Sequence, residues 1–138
     1  MSSGHELLPY QDASTDLPVV SVLSVAGLRK PDVTLDYQYV NAEDREATKS
    51  KIRVALRVAA LQGHRKLVLG ALGCGVFGNP PPEVAKCFLE VLKEDEFQGG
   101  WWEDIAFAVL DNTKGTMGGK TGIGNYGVFY RALDGEIV

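Results

Sequence analysis

Apolar runs alternate with amphipathic segments along the chain, and the first half predicts a strand followed by a helix. Residues 17–26 (LPVVSVLSVA) predict a buried strand, whereas residues 33–41 (VTLDYQYVN) fit either a short strand or an extended lead-in. Asn41 is the predicted N-cap of a helix that runs to about Leu61 and ends at Gly63. Its basic side chains predict a solvated face and are Lys49, Lys51, Arg53 and Arg57.

The second half continues the pattern with a strand, a helix and a further strand. The unbroken apolar run 67–72 (LVLGAL) is typical of a central parallel strand that is covered on both faces. Asn79 is the predicted N-cap of the next helix, where prolines occupy positions that need no N–H, and residues 105–111 (IAFAVLD) predict a third buried strand. Residues 125–135 (NYGVFYRALDG) predict a last short helix with Asn125 as its cap.

The order strand, helix, strand, helix, strand indicates an α/β fold with a mainly parallel sheet and helices on its faces. A chain of 138 residues fits one domain. We expect residues 1–16, which are polar, to form a flexible N-terminal lead, and residues 17–138 to form that single domain.

Composition narrows the function classes. The net charge of −4, without clustered Lys and Arg, argues against direct nucleic-acid binding. Two cysteines, Cys74 and Cys87, favour a reducing intracellular setting, cytoplasmic or nuclear. No metal-ligand cluster, signal peptide or apolar run of about 20 residues is visible, so neither a metal, a cofactor nor a membrane is expected.

The turn at residues 70–79 (GALGCGVFGN) is the strongest candidate for a ligand site. Ligands bind beyond the carboxyl ends of parallel strands, and glycines let the backbone approach them closely. Successive N–H groups, aided by the helix that follows, would suit a phosphate or diphosphate, although a tight packing turn is the alternative. No Lys-Ser or Lys-Thr pair follows, so a Walker loop is excluded. Phe77 could pack against a sugar or base or plug the sheet end, and Cys74 is interpreted as a buried residue.

The segment LVLGALGCGVFGNPPPEVAKCFLEVL resembles the second phosphate-binding loop and following helix of microbial-type poly(ADP-ribose) glycohydrolases, in the macrodomain superfamily. VVSVLSVAG, IRVALRVAALQGHRKLVLG and IAFAVLDN also resemble the family, so the likeness runs from about Pro18 to Asn112. It implies a partial macrodomain-like three-layer α/β/α fold and an ADP-ribose site. The loop would wrap the diphosphate, with its aromatic residue against the distal ribose, through Gly73, Cys74, Gly75, Val76, Phe77, Gly78 and Asn79.

The chain departs from the family at its catalytic signature, a Gly-Gly-Gly segment followed by Gln-Glu-Glu. Neither part is present, and Gly118 and Gly119 have no paired carboxylates after them. The strand end SVAGL also replaces the family's Ala-Ala-Pro-Asn. The acidic clusters elsewhere are predicted to lie on solvated helix faces. They comprise Glu43, Asp44, Glu94, Asp95 and Glu96. The chain therefore resembles the C-terminal half of a glycohydrolase, lacking the N-terminal catalytic half, and no catalytic residue is assigned.

Three functions remain open. The chain could bind ADP-ribose, a related nucleotide diphosphate or an ADP-ribosylated protein without hydrolysis. It could be a glycohydrolase completed by a dimer mate or partner chain, or an assembly subunit that has lost ligand binding. A half-sheet leaves an exposed edge, so we expect a homo-oligomer or a partner chain to cover it, or the tail to fold back. Trp101 and Trp102 are either an interface anchor or a plug from loop to core.

Overall fold

The structure is a computed structural model that describes residues 17–138. The predicted flexible lead, residues 1–16, lies outside the described residues. Along the described chain the elements are α1 (Ala42–Leu61), β1 (Lys66–Leu69), α2 (Pro81–Leu92), β2 (Asp104–Phe107) and α3 (Asn125–Leu133). Two short 3-10 turns accompany them, Asp95–Phe97 and Gly115–Met117. None of the helices between residues 17 and 138 is long and apolar enough to cross a membrane.

The two strands form a parallel sheet, which confirms the predicted α/β class. Lys66 pairs with Asp104 and Leu69 with Phe107 at the two ends of the register. Side chains on one sheet face pack against the helical core and are Leu67, Leu69, Ile105 and Phe107. On the opposite face Val68 is 76% exposed, and Ala106 is exposed as well. The prediction that both faces are covered is therefore wrong for the described chain, because the helical core packs on one face of the sheet and leaves the other bare.

The predicted first strand is also wrong. Residues 17–26 form no strand, and their apolar side chains are largely exposed, with Val19 fully so and Val22 at 87%. A strand needs a neighbour that satisfies its backbone N–H and C=O groups. No residue among 17–138 makes a backbone hydrogen bond to this segment. The Val-rich and Leu-rich composition is typical of a strand, but the described chain provides no neighbouring strand for it to pair with.

The ambiguous stretch at residues 33–41 is a tight turn closed by one bridge. Val33 and Tyr39 form an isolated antiparallel bridge, and the amide of Tyr37 donates to the carbonyl oxygen of Thr34 at 3.1 Å. Tyr37 adopts a left-handed φ of 59°, which reverses the chain. The turn brings the Tyr39 side chain into the core.

The first helix has the predicted bounds, with Asn41 at its N-cap position and Gly63 at a φ of 80° just after its end. Its basic side chains are not simply solvated. The Arg53 guanidinium donates two hydrogen bonds to the Glu94 carboxylate, at 2.8 and 2.7 Å. Arg57 pairs with Glu96 in the same way, at 2.9 and 2.7 Å. The basic face of α1 thus meets the acidic segment that directly follows α2, and paired arginine–carboxylate hydrogen bonds join the two.

The second helix begins with Pro80 as its N-cap, so the prediction that Asn79 caps it is wrong. Asn79 makes no capping bond because its side chain is turned into the core, where it is 2% exposed. The predicted prolines do stand in the first turn of the helix. Its buried side chains include five apolar residues that define the core stripe, Val84, Ala85, Phe88, Val91 and Leu92, together with Cys87.

Aromatic side chains join the helices to the sheet. The Phe107 ring on β2 lies 5.1 Å from the Phe88 ring on α2 and 5.9 Å from the Phe129 ring on α3, centroid to centroid. The last helix is confirmed, although Gly124 is its N-cap and Asn125 its first residue. Trp102 is buried as a plug beside Phe97, whereas Trp101 is half exposed.

Candidate functional site

The glycine-rich turn connects the carboxyl end of β1 to the start of α2, as the sequence predicts. It reverses direction at Gly73 and Gly78, which both have a φ of 71°. Only glycine adopts this left-handed conformation at little cost. Hydrogen bonds inside the turn keep it compact, because Cys74 N donates to Ala71 O at 3.1 Å and Asn79 N donates to Gly73 O at 2.9 Å.

Asn79 braces the turn from inside the core. Its side-chain amide Nδ2 donates to the backbone oxygens of Leu28 and Gly73, at 2.6 and 3.1 Å. Its Oδ1 accepts a hydrogen bond of 2.8 Å from the Tyr39 hydroxyl. One buried side chain therefore ties the turn to two earlier segments of the chain. The sequence placed Asn79 in the site region but gave it a different structural role.

The turn also lies against the backbone that follows residues 17–26. A Cβ on Gly27 would come within 2.6 Å of the Gly73 Cα, and a Cβ on Gly73 would overlap the Asn79 side-chain amide. Two glycine backbones thus pack together where any side chain would separate them. Gly27 was predicted only to end a strand, so its contact with the turn is new information from the tertiary structure.

Three consecutive amides on the outer part of the turn have no partner in the described chain. The N–H groups of Gly75, Val76 and Phe77 donate to no acceptor among residues 17–138. The Val76 side chain is 84% exposed, so solvent reaches this stretch of backbone. Consecutive unpaired N–H groups are the donors with which backbone turns hold anions.

The start of α2 contributes less than a typical helix N-terminus. Anions usually bind there through unpaired N–H groups as well as through the helix dipole. Pro80, Pro81 and Pro82 have no N–H, so the first amide available is that of Glu83. The helix therefore offers its dipole to the turn, and the hydrogen-bond donors have to come from the turn itself.

The start of α3 and the glycine-rich segment before it also contact the turn. The Asn125 side-chain amide donates to the carbonyl oxygen of Cys74 at 3.1 Å, and its backbone N–H donates to Asn112 Oδ1 at 2.8 Å. The Asp111 carboxylate accepts hydrogen bonds from the Gly119 N–H and the Thr113 hydroxyl, which lower the pKa of Asp111. These contacts were not predicted from the sequence, where the asparagines and glycines of the segment are their only signal.

The two side chains singled out inside the turn have different environments. Cys74 is 7% exposed, and burial raises the pKa of its thiol to about 12. It is therefore a neutral buried thiol at ordinary pH, as interpreted from the sequence, and a poor nucleophile. Phe77 is partly exposed, and its carbonyl oxygen accepts a hydrogen bond of 2.8 Å from the amide of Lys30. Contact of its ring with a ribose stays a prediction.

Four carboxylates on α2 and just after it are paired with arginines of α1. Glu83 and Glu90 both accept hydrogen bonds from Arg45, and Glu94 and Glu96 pair with arginines of α1. The guanidinium of Arg45 lowers the pKa of Glu90. The helix-surface acids are thus structural partners, which corrects the prediction that Glu94 and Glu96 are only solvated. Within residues 17–138 no group of acidic, His and Cys side chains could hold a metal ion.

Known structures resemble this chain, whereas no family model and no curated protein matches it. Poly(ADP-ribose) glycohydrolase from Deinococcus radiodurans, in complex with ADP-ribose, is 39% identical with a TM-score of 0.57. The match covers 69% of this chain and 34% of that one. The enzyme from Thermomonospora curvata is 33% identical with a TM-score of 0.57, over 68% of this chain and 32% of that one.

The chain has a partial poly(ADP-ribose) glycohydrolase-like macrodomain fold. The resemblance stated from the sequence is therefore confirmed. The match spans about one third of the length of these glycohydrolases. This likeness concerns the fold, and the assignment of Gly73 to Asn79 as a ligand loop stays a prediction.

Proposed function

We propose that this glycohydrolase-like chain binds ADP-ribose or a related nucleotide diphosphate through residues 73–79, without hydrolysing it alone. The observation that carries the proposal is the run of three unpaired N–H groups at Gly75, Val76 and Phe77. A diphosphate has several acceptor oxygens close together, which suits consecutive backbone donors. Structures that match this chain are described as complexes with ADP-ribose.

The turn is suited to hold an anion without rearranging. Asn79, Asn125 and Gly27 fix it from three directions, so little conformational entropy has to be lost on binding. The partly exposed Phe77 ring lies in the same turn and offers an apolar surface to a sugar. Rigid donors beside an aromatic surface favour a ligand that joins phosphate to ribose.

We infer binding without cleavage because the chain lacks the Gly-Gly-Gly and Gln-Glu-Glu signature, and because several of its carboxylates are engaged in ion pairs. Glycosidic cleavage needs a carboxyl group that protonates or orients the leaving group. In the described chain, the Glu83, Glu90, Glu94 and Glu96 carboxylates are held by basic side chains of α1. Hydrogen bonds from the basic partners lower the pKa of Glu90, Glu94 and Glu96, so these three groups are poor proton donors.

Titration calorimetry with ADP-ribose tests the binding. Gly75 is the sharpest position, since a Cβ there meets nothing within 4 Å and its φ is not left-handed. We expect Gly75→Glu to fold normally and to weaken binding roughly tenfold or more, because its carboxylate repels the diphosphate. Leu61→Glu is the matched control, as it adds the same charge at an 84% exposed position at the far end of α1. Absence of binding by the wild-type chain at millimolar ADP-ribose would overturn the proposal.

Hydrolysis is tested separately, because the matched structures are described as glycohydrolases. The chain is incubated at high concentration with poly(ADP-ribose) and with mono-ADP-ribosylated protein, and released ADP-ribose is measured. We expect none. Release that persists in a preparation purified to homogeneity, and that Gly75→Glu abolishes, would make the chain an enzyme instead of a binding module.

We also propose that the bare sheet face is an association surface. Val68 and Ala106 are exposed on it, and the apolar residues 17–26 have no strand partner among the described residues. The match covers only about one third of the length of the glycohydrolases that this chain resembles. The proposed occupant is a polypeptide layer equivalent to the part of those proteins outside the match.

Co-expression of this chain with the unmatched part of the Deinococcus radiodurans glycohydrolase tests that occupant. A 1:1 complex that Val68→Glu disrupts and Leu61→Glu spares is expected. Sedimentation of the chain alone gives the competing outcome, since a dimer sensitive to Val68→Glu would identify a second copy as the occupant. A monomer that captures nothing, and that tolerates Val68→Glu without change, would contradict the proposal.

A further inference from the structure

Lys30 has an unusual backbone conformation at the edge of the glycine turn. Its φ is 52°, in the left-handed region that non-glycine residues seldom adopt. Its amide donates a 2.8 Å hydrogen bond to the carbonyl oxygen of Phe77. This bond joins the segment after residues 17–26 to the outer part of the turn. A left-handed lysine costs roughly 1 kcal/mol or more, so the surrounding structure has to hold it in place.

The Lys30 side chain extends along the end of the turn. Its Cδ and Nζ atoms lie 3.9 and 4.0 Å from the position that a Cβ on Gly78 would occupy. The lysine stem therefore runs beside the backbone of Gly78, within ordinary van der Waals distance. The bond between Lys30 N and Phe77 O fixes the Lys30 backbone beside the turn, and the ammonium lies near Gly78.

No carboxylate neutralises this ammonium in the described chain. Among residues 17–138, Lys30 has no acidic partner within 4.0 Å, whereas Lys49, Lys86 and Lys93 each have one. The unpaired cation lies beside the turn that carries the unpaired N–H groups of residues 75–77. Positive charge and backbone donors are thus close together, which is the combination that a phosphate anion requires.

We propose that Lys30 contributes the charge that selects a diphosphate ligand at the glycine turn. The inference rests on the proposed function and adds a residue and a selectivity to it. The ammonium pairs with a phosphate oxygen while the amides of residues 75–77 donate to others. A nucleotide diphosphate is then preferred over an uncharged nucleoside, because only the former has an anion to place beside Lys30. No covalent step is involved.

Lys30→Gly is the most informative variant. Glycine relieves the left-handed strain and removes the ammonium together, so the variant should be at least as thermally stable as the wild type. Its affinity for ADP-ribose should nevertheless fall roughly fivefold or more. A residue with a purely structural role would move stability and affinity in the same direction. Lys30→Arg should keep affinity within about threefold, because it retains the charge.

The experiment is titration calorimetry with ADP-ribose and with adenosine, at low and at high salt. The matched control is Lys66→Met, which removes an exposed lysine that also has no acidic partner in the described chain. We expect the wild type to lose affinity with salt more steeply than Lys30→Gly, and Lys66→Met to behave as the wild type. Wild-type affinity and salt dependence in Lys30→Gly would overturn the role of Lys30 alone. Failure of the wild type to bind ADP-ribose would instead overturn the proposed function.

Discussion

The hydroxyl of Tyr39 donates a 2.8 Å hydrogen bond to Oδ1 of Asn79, forty positions further along the chain. The same hydroxyl lies 2.9 Å from Thr48 Oγ1 on α1. It therefore joins the turn before α1, the helix itself and the glycine turn. Burial raises the pKa of Tyr39 to about 12, so the hydroxyl keeps its proton and remains a donor across the physiological range.

Tyr39→Phe should destabilise the protein. The variant keeps the ring but leaves Asn79 Oδ1 and the Thr48 hydroxyl buried without their partner, which costs about 1–3 kcal/mol in the free energy of unfolding. Urea denaturation at pH 7 measures the loss. Tyr37→Phe is the control, because Tyr37 is 61% exposed. Equal stability of the two variants would show that the buried hydroxyl does not brace the turn.

Gly73→Ala and Gly75→Ala should separate two glycines that look alike in the sequence. Gly73 has a φ of 71° and no room for a Cβ beside Asn79, whereas Gly75 has neither constraint. We expect Gly73→Ala to lower the free energy of unfolding by about 2 kcal/mol or more, and Gly75→Ala to change it by less than about 0.5 kcal/mol. Thermal and urea unfolding check both values. Similar effects from the two substitutions would contradict the backbone conformation of the turn.

The Arg53–Glu94 ion pair should make stability depend on pH under acidic conditions. Hydrogen bonding to Arg53 lowers the pKa of the Glu94 carboxyl in the folded protein. The unfolded chain then takes up a proton at higher pH than the folded one. This stabilisation is complete above the ordinary Glu pKa of about 4.3 and is lost as pH falls through the lower folded value.

Glu94→Gln should therefore be less stable than the wild type at pH 7, by about 0.5–1.5 kcal/mol. Its free energy of unfolding should also fall less steeply than that of the wild type between pH 5 and pH 3. Urea unfolding at several pH values measures both effects. Glu103→Gln is the control, since Glu103 is exposed and has no salt bridge in the described chain. A wild-type pH slope in Glu94→Gln would refute the assignment.

Both thiols should resist modification while the protein is folded. Burial raises the pKa of Cys74 to about 12 and that of Cys87 to about 11, and the thiolate is the reactive form. At pH 8 we expect a thiol reagent to react with neither cysteine in buffer and with both in denaturant. Fast reaction of Cys74 in the folded chain would mean that the turn opens or that the thiol is activated.

Much of the helical structure could be predicted from sequence because its signals are local. Glycine at 63 and 135 ends α1 and α3, prolines open α2, and apolar spacing gives each helix its buried side. The parallel pairing of β1 with β2 also followed from the order of elements. The prediction of a strand at residues 17–26 was wrong because a strand requires a partner, and apolar composition does not show whether one is present.

The candidate site was likewise predicted from the sequence only in part. The turn itself was identified from its glycines and from its place after an apolar run, and the likeness to glycohydrolases came from the same residues. The side chains that hold the turn in place were not identified from the sequence. Asn79 was predicted to cap a helix and instead holds the backbone of Gly73 and Leu28, because the preceding chain places two carbonyl oxygens within its reach.

The sequence by itself determined which residues turn and which form helices, and it marked the glycine-rich turn as the candidate ligand site. These properties depend on neighbours a few positions apart, through φ preference, missing N–H groups and apolar spacing. Tertiary structure alone decided that Lys30, Asn79 and Asn125 converge on one turn, and that one face of the sheet stays bare. Such contacts join residues far apart in the chain, so they exist only after the elements have packed.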